Sequence, residues 1–199
     1  MNGFEKRKEL KKKNIIEAAF SLYMTYGIQK VSIKEIADQA NVSQVTIYNY
    51  FESKENLTQI VFKHFVDLAW EEQKQLLDID LPFKDKVEKI IFTKSDLTEQ
   101  MTEPFFRDFM LDYSSGKSYV EKLYIEEGLP RLVKLFQDGK KQGVVDASIS
   151  DEAILLYLQM FKEFMQREDI ATALLPISED FTKLFFYGVT GDHKKTTDK

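Results

Sequence analysis

Ile15, Ile16, Ala19, Phe20, Leu22 and Tyr23 fall at helical spacing and Gly27 supplies a C-terminal stop, so the chain opens with a supporting helix. Ile33, Ile36, Ala37 and Ala40 follow at i, i+3, i+4 and i+7, one apolar face of a two-turn helix. Ser32 is its cap, and Glu35 sits three residues on, where it reaches back to the N–H of the cap. Asn41-Val42-Ser43 breaks the pattern. Asn tolerates the left-handed conformation that ends a helix, Val42 turns inward, and Ser43 caps the next helix. That helix, Gln44 to about Phe51, sends Ile47, Tyr50 and Phe51 to one side and Gln44, Val45, Tyr48 and Asn49 to the other. Ser53 caps a further helix, with Lys54 in its first turn beside backbone N–H groups that have no helical partner, an anion site.

Leu57, Ile60, Val61, His64, Phe65, Leu68 and Ala69 share one face of this next helix, and no Gly or Pro interrupts it before Pro82, which predicts one rod of about 24 residues. His64 on the apolar side reads either as a satisfied core histidine or as a ligand contact. Trp70 sits beside that face, and its indole N–H needs a partner if buried. Residues 83 to about 101 read as one helix, with Phe83, Val87, Ile90, Ile91 and Leu97 inward. Pro104 opens another, whose aromatic side is Phe105, Phe106, Phe109, Met110 and Tyr113, and Ser114-Ser115-Gly116 is a loop. Tyr119 to about Gly143 is helical with a break signal at Gly128-Leu129-Pro130. Ser150 caps a helix from Asp151 to about Arg167, and a last helix spans about Ser178 to Val189. Both are apolar nearly all round, through Leu156, Met160, Phe161 and Phe164 in the first and Leu184, Phe185 and Tyr187 in the second. Such helices are either central core or a subunit interface. The polar tail after Gly191 reads as disordered.

The outward face at Gln44, Val45, Tyr48 and Asn49 is odd for a solvated helix and sensible for one entering a DNA major groove. Gln or Asn bonds adenine in bidentate fashion, Val meets a thymine methyl, and Tyr reaches a phosphate. Two short helices around a three-residue turn, the second with such a face, form the helix-turn-helix pattern. The run from Ile15 to about Phe62 closely resembles the DNA-binding domain of the TetR family of bacterial transcriptional regulators. The resemblance is carried by Ser32-Ile33-Lys34-Glu35-Ile36-Ala37, Ala40-Asn41-Val42-Ser43, Thr46-Ile47-Tyr48-Asn49-Tyr50-Phe51 and Ser53-Lys54-Glu55. It covers about the first third of the chain. It implies an all-α homodimer with a head over residues 1–52, an effector-binding and dimerising body over 53–191, and a tail over 192–199. Gln44, Val45, Tyr48 and Asn49 are then expected at bases and nearby phosphates, with Lys34 at a base edge or phosphate. Ser32, Ser43, Thr46, Tyr50 and Lys54 are expected to fix the DNA backbone. Val45 departs from the Gly or Ala found in many members. The resemblance also implies that the last two main helices pair with their mates as a four-helix bundle, and that the long helix from Ser53 carries the ligand signal.

Composition shifts this picture in two places. The chain of 199 residues carries a net charge of −5, which taken whole argues against a nucleic-acid partner. Residues 1–55, however, hold nine Lys/Arg against seven Asp/Glu, and the rest of the chain is acidic, the asymmetry of a basic head on an acidic body. Six of those cations lie in residues 1–13, open to two readings: a frayed, solvated terminus, or an arm or helix start that touches phosphate near the minor groove. The absence of Cys excludes disulfides, thiol nucleophiles and Cys-ligated zinc. No apolar run approaches the roughly 18 residues of a membrane span, and no signal core follows the lysines, so a soluble cytoplasmic protein is expected.

Enzyme chemistry finds no set to use. Of two His, His193 lies in the tail; there is no HExxH pair and no phosphate-binding Gly loop, and neither metal nor cofactor is expected. Asp108 and Asp112, i and i+4 beside Arg107, read as a solvated face. The expected function is a repressor that binds a near-palindromic operator and is released by a small, largely apolar or aromatic effector. His64, Trp70, Phe105, Phe109, Tyr113 and Phe161 are the candidate pocket residues, and the alternative is that these aromatics simply fill the core. The rival functions are the same fold without an effector, and a helical ligand-binding protein or enzyme with a vestigial head.

Overall fold

In the computed structural model, which describes residues 3–93, 97, 100–114, 119–165, 167, 170 and 177–190, the regular elements are all helical. In chain order they are α1 (Gly3–Tyr26), α2 (Ile33–Gln39), α3 (Gln44–Phe51), α4 (Lys54–Asp78), α5 (Phe83–Phe92), α6 (Glu103–Ser114), α7 (Tyr119–Leu123), α8 (Leu129–Lys141), α9 (Asp151–Met165) and α10 (Ser178–Thr190). A π-helical turn, Tyr124–Gly128, joins α7 to α8. The all-α class expected from the pattern is the class observed. Two compact units are formed, one from Met1–Glu71 with Ser95–Ser115 and one from Glu72–Lys94 with Gly116–Lys199. The polar tail, and Ser115 and Gly116 of the expected loop, lie outside the described residues.

The first unit packs α1, α2, α3, most of α4 and α6 around Ile15, Tyr23, Ile36, Ile47, Leu57, Val61 and Phe105. Its first helix begins twelve residues before Ile15, so the basic segment is helical rather than frayed. Lys, Arg, Glu and Leu are good helix formers, and Glu9–Lys12 at 3.8 Å and Lys13–Glu17 at 3.6 Å add pairs along the rod. The apolar face of α4 differs from expectation. Leu57, Val61, Phe62, Phe65 and Val66 are buried, while Ile60 and Leu68 are exposed. The face is turned toward α6: Phe65 meets Phe105 and Phe109 edge to face at 5.3 and 5.0 Å, and Phe62 meets Phe109 likewise at 5.7 Å. Such ring pairs contribute about 0.5–1.5 kcal/mol beyond area burial, enough to choose between two stripes of similar hydrophobicity.

The turn after α1 is held from several sides. Gly27 sits at φ +79 and donates its N–H to Tyr23 O at 2.9 Å. Ile28 N–H donates to Asp108 Oδ2 at 3.0 Å, Lys54 Nζ donates to Ile28 O at 2.8 Å, and Thr102 Oγ1 donates to Met24 O at 2.7 Å. Asp108, expected on a solvated face, is therefore a structural acceptor for a backbone N–H. The side chain of Asp112 lies outside the described residues.

The second unit buries Phe83, Val87 and Ile91 of α5 against Leu135 and Phe136 of α8, Ile154 and Leu158 of α9, and Phe185 and Phe186 of α10. Its α5 stops at Phe92 instead of running to residue 101, because β-branched Thr93 takes the extended region at ψ 109. The start of α5 is fixed by Gln142, whose Oε1 accepts from Phe83 N–H at 2.8 Å. The break signal at Gly128-Leu129-Pro130 resolves as the π turn: Pro130 has no N–H to offer the carbonyl four residues back, and the widened turn absorbs that loss without ending the rod. Lys162, largely buried, pairs with Glu121 at 2.7 Å and lies 5.3 Å from the centre of the Tyr124 ring. Ser150 Oγ accepts from Ala153 N–H at 3.1 Å to cap α9, as its sequence predicts. Both late helices bury one side and leave the other open. Leu156, Tyr157, Met160 and Phe164 of α9 and Leu184 and Tyr187 of α10 are exposed in the single chain.

Candidate nucleic-acid interface

The interface is assembled by three caps and two residues at positive φ. Ser32, extended at φ −94, accepts from Glu35 N–H, and the Glu35 carboxylate accepts from Ser32 N–H at 2.7 Å, a complete capping box. The bond from Ser32 N–H, joined by one from its hydroxyl, holds the exposed Glu35 carboxyl below the usual glutamate range. Asn41 adopts φ 53 and turns the chain, and Ser43 then accepts from Thr46 N–H at 3.1 Å to open α3. Glu52, also at positive φ, closes α3 with its N–H on Tyr48 O at 2.8 Å, and Ser53 Oγ accepts from Asn56 N–H at 3.1 Å to start α4.

These caps set the rotation of α3. Ile47 and Phe51 are buried, which turns Gln44, Val45, Tyr48 and Asn49 to solvent, with Val45 at 66% and Tyr48 at 48% exposure. The four exposed positions expected at DNA therefore share one face, and Lys34 on α2 is exposed as well. The remaining candidates are engaged locally. The Ser32 hydroxyl bonds Glu35, the Ser43 and Thr46 hydroxyls pair at 2.9 Å, and Lys54 Nζ is committed to the Ile28 carbonyl. Tyr50 is half-buried against Phe51, ring centres 6.3 Å apart.

Residues 15–59 match the family model of the bacterial regulatory proteins of the TetR family. Over those residues the head is of the TetR type. The chain is similar to YhgD of Bacillus subtilis (strain 168), an uncharacterized HTH-type transcriptional regulator, at 24% identity over 156 residues, 76% of this chain and 80% of that protein. Two solved structures share the fold. One is a gamma-butyrolactone receptor (ArpA-like protein), with TM-score 0.59, 17% identity, and coverage of 94% of this chain and 91% of that one. The other is the transcriptional regulator FadR from Bacillus subtilis in complex with stearoyl-CoA, with TM-score 0.59, 21% identity, and coverage of 91% and 99%.

The TetR-type head leaves the effector candidates divided. His64 meets Phe20 edge to face at 5.5 Å, and Phe20 meets fully buried Phe105 at 6.4 Å, so His64, Phe105 and Phe109 belong to one packed aromatic cluster in the first unit. Trp70 is half-buried, and the side chains of Tyr113 and Phe161 lie outside the described residues. A groove of about 320 Å³ in the second unit, between Asp78, Asp80, Lys86, Lys134 and Asp138, is mainly polar and carries no signal in the sequence pattern. Thr102 and Asp108, which hold the α1–α2 turn, escape sequence reasoning because a lone hydroxyl and a lone carboxylate have no periodicity. No group of three or more His, Cys, Asp or Glu able to hold a metal occurs among the described residues. No described helix is long and apolar enough to cross a membrane.

Proposed function

We propose that this chain is a homodimeric, effector-responsive repressor that reads a near-palindromic DNA operator and performs no catalysis. The carrying observation is the outward face of α3, in which Gln44, Val45, Tyr48 and Asn49 stand exposed on a helix whose rotation is fixed by Ser43 and by buried Ile47 and Phe51. A glutamine and an asparagine on such a face supply bidentate partners for base edges, and a tyrosine supplies a phosphate contact. Lys34 adds a cation beside them, while Ser32, Ser43, Thr46 and Lys54 shape the surface through the bonds described above. Tyr50 is assigned to the DNA backbone.

The dimer is supported by the open side of α9 and α10. Leu156, Tyr157, Met160, Phe164, Leu184 and Tyr187 form the kind of apolar exposure that a second copy covers, and closed twofold pairing is the commonest solution. Two heads related by that axis would place their recognition helices about 34–36 Å apart or a small multiple of that. The functional division is a head to residue 52, a body over residues 53–191 that takes a small apolar or aromatic effector, and a polar tail, in a protein of the cytoplasm. A neighbour of the same fold, FadR, was solved with stearoyl-CoA; for this chain, effector binding rests on its own body. Release requires that the effector bind the two states with different affinity. One observation favours a second reading without an effector: His64 packs on the Phe20 ring, and Phe105 and Phe109 pack on the Phe65 ring.

Selection of bound duplexes from a random pool at near-physiological salt, followed by anisotropy titration, tests the reading. Recovery of an inverted repeat bound far more tightly than random DNA is expected. Binding that is weak, indifferent to sequence and abolished by salt would overturn it.

A further inference from the structure

The α3 face accounts for base recognition, yet the most basic segment of the chain stands apart from it, on the first three turns of α1. Helix formation from Gly3 puts Arg7, Lys8 and Lys11 within about 100° of one another around the axis, while Glu5 and Glu9 turn to the other side. Lys12 and Lys13 pair with Glu9 and Glu17, whereas Arg7, Lys8 and Lys11 enter no ion pair among the described residues. These three cations line a groove of about 330 Å³ together with Phe4, Leu10, Asn14 and Tyr50, the last from the C-terminal turn of α3. Phe4 and Leu10 are 68% and 59% exposed. Apolar side chains at that exposure beside three cations and a phenol match a ligand that is anionic and has an apolar flank, as a deoxyribose-phosphate has.

We propose that this groove seats the sugar-phosphate backbone of the operator beside the bases read by α3, an interaction that sets affinity and register without adding sequence information. The inference rests on the DNA reading of α3 and extends it to a second element. Arg7, Lys8 and Lys11 neutralise phosphate, the Tyr50 hydroxyl and Asn14 amide bond its oxygens, and Phe4 and Leu10 pack on the sugar. Phosphate neutralisation releases condensed counterions, so the interaction has a thermodynamic signature distinct from that of base readout.

The test compares the wild-type chain with the triple variant Arg7→Ala/Lys8→Ala/Lys11→Ala, titrated over a range of salt on the selected operator and on a random duplex of equal length. Expected is a salt slope shallower by about 0.9 for each phosphate that is no longer neutralised, with operator and random affinities falling by the same factor, roughly tenfold or more. The charge-keeping variant Arg7→Lys/Lys8→Arg/Lys11→Arg should retain the wild-type slope. Circular dichroism of the triple variant should match wild type, since the three side chains are exposed. An unchanged slope with a wild type that still selects an inverted repeat would overturn the groove assignment and leave the α3 reading standing. Loss on the operator alone would also overturn it, by showing base readout. A wild type that selects no duplex would remove the α3 reading and this inference together.

Discussion

Two surfaces of this chain leave side chains uncovered, and their chemistry differs in kind. On α3 the exposed face carries two amides, a phenol and one valine; on α9 and α10 it carries Leu156, Met160, Phe164 and Leu184. The first face is well solvated and gains little from burial alone, so its value lies in direction: each amide accepts and donates along fixed lines. The second has no direction to give but gains about 25 cal/mol for every Å² removed from water. A surface of the first kind suits a partner recognised by hydrogen-bonding pattern, and one of the second kind suits a partner with a similar apolar face. In the proposed dimer, what selects the DNA is thus separate from what holds the two copies together.

Charging the apolar side strikes hardest at this division. Leu156→Glu with Leu184→Glu is expected to turn the proposed dimer into monomers by sedimentation velocity and to remove high-affinity operator binding with it. Truncating central anchors of an interface costs about 2–4 kcal/mol each. A double variant that still sediments as a dimer would place the interface elsewhere. Next in size is Gln44→Ala, expected to cost about 1–3 kcal/mol on the operator by competition titration. Random duplex affinity should stay unchanged, so equal losses on both DNAs would sink the base-reading role of Gln44.

Smaller effects probe how the α3 face is held. Ser32→Ala and Ser43→Ala each remove a cap, and urea unfolding should register a loss of about 1 kcal/mol for either. Ser43→Ala should also weaken operator binding if α3 reads the bases, because the cap sets the start of α3. The smallest effect is a pH dependence. A carboxyl held below its ordinary range contributes stability that is complete above its unfolded value and is lost as pH falls through the folded one. For Glu35 that window opens near the ordinary value of 4.5 and extends below it. Urea midpoints at about pH 6 and about pH 3.5 should therefore differ more for wild type than for Glu35→Gln; equal differences would show that the box does not couple to acid stability.

The head is legible in the sequence because its boundaries are set by single residues with local effects. Ser32 and Ser43 start helices through their own hydroxyls, Asn41 turns the chain through its tolerance of positive φ, and α3 spans Gln44–Phe51 as its pattern predicts. Where a long-range interaction decides, the pattern runs out. Periodicity puts Leu57, Ile60, Val61 and His64 on the inner stripe of α4, but Phe62 and Val66 are the buried neighbours, and only the rings of α6, some forty residues on, choose between the two. The end of α5 at Thr93 and the π turn before Pro130 are each foreshadowed by a residue type but not by periodicity. At the candidate site the exposed amides are legible from the helical wheel. The use of Lys54 Nζ by a backbone carbonyl is not, because Ile28 is distant in sequence.

Gly27 and Gly143 share a left-handed backbone, at φ +79 and φ +68, but not their surroundings. A Cβ at position 143 would meet nothing within 4 Å, whereas one at position 27 would lie 2.8 Å from Pro104 Cβ. In a saturation library screened for folded protein, position 143 should therefore recover asparagine and aspartate beside glycine, since these tolerate that backbone. Position 27 should return glycine alone. Of two residues that look interchangeable in the sequence, one is replaceable, and the other marks where the turn after α1 approaches α6 too closely for any side chain.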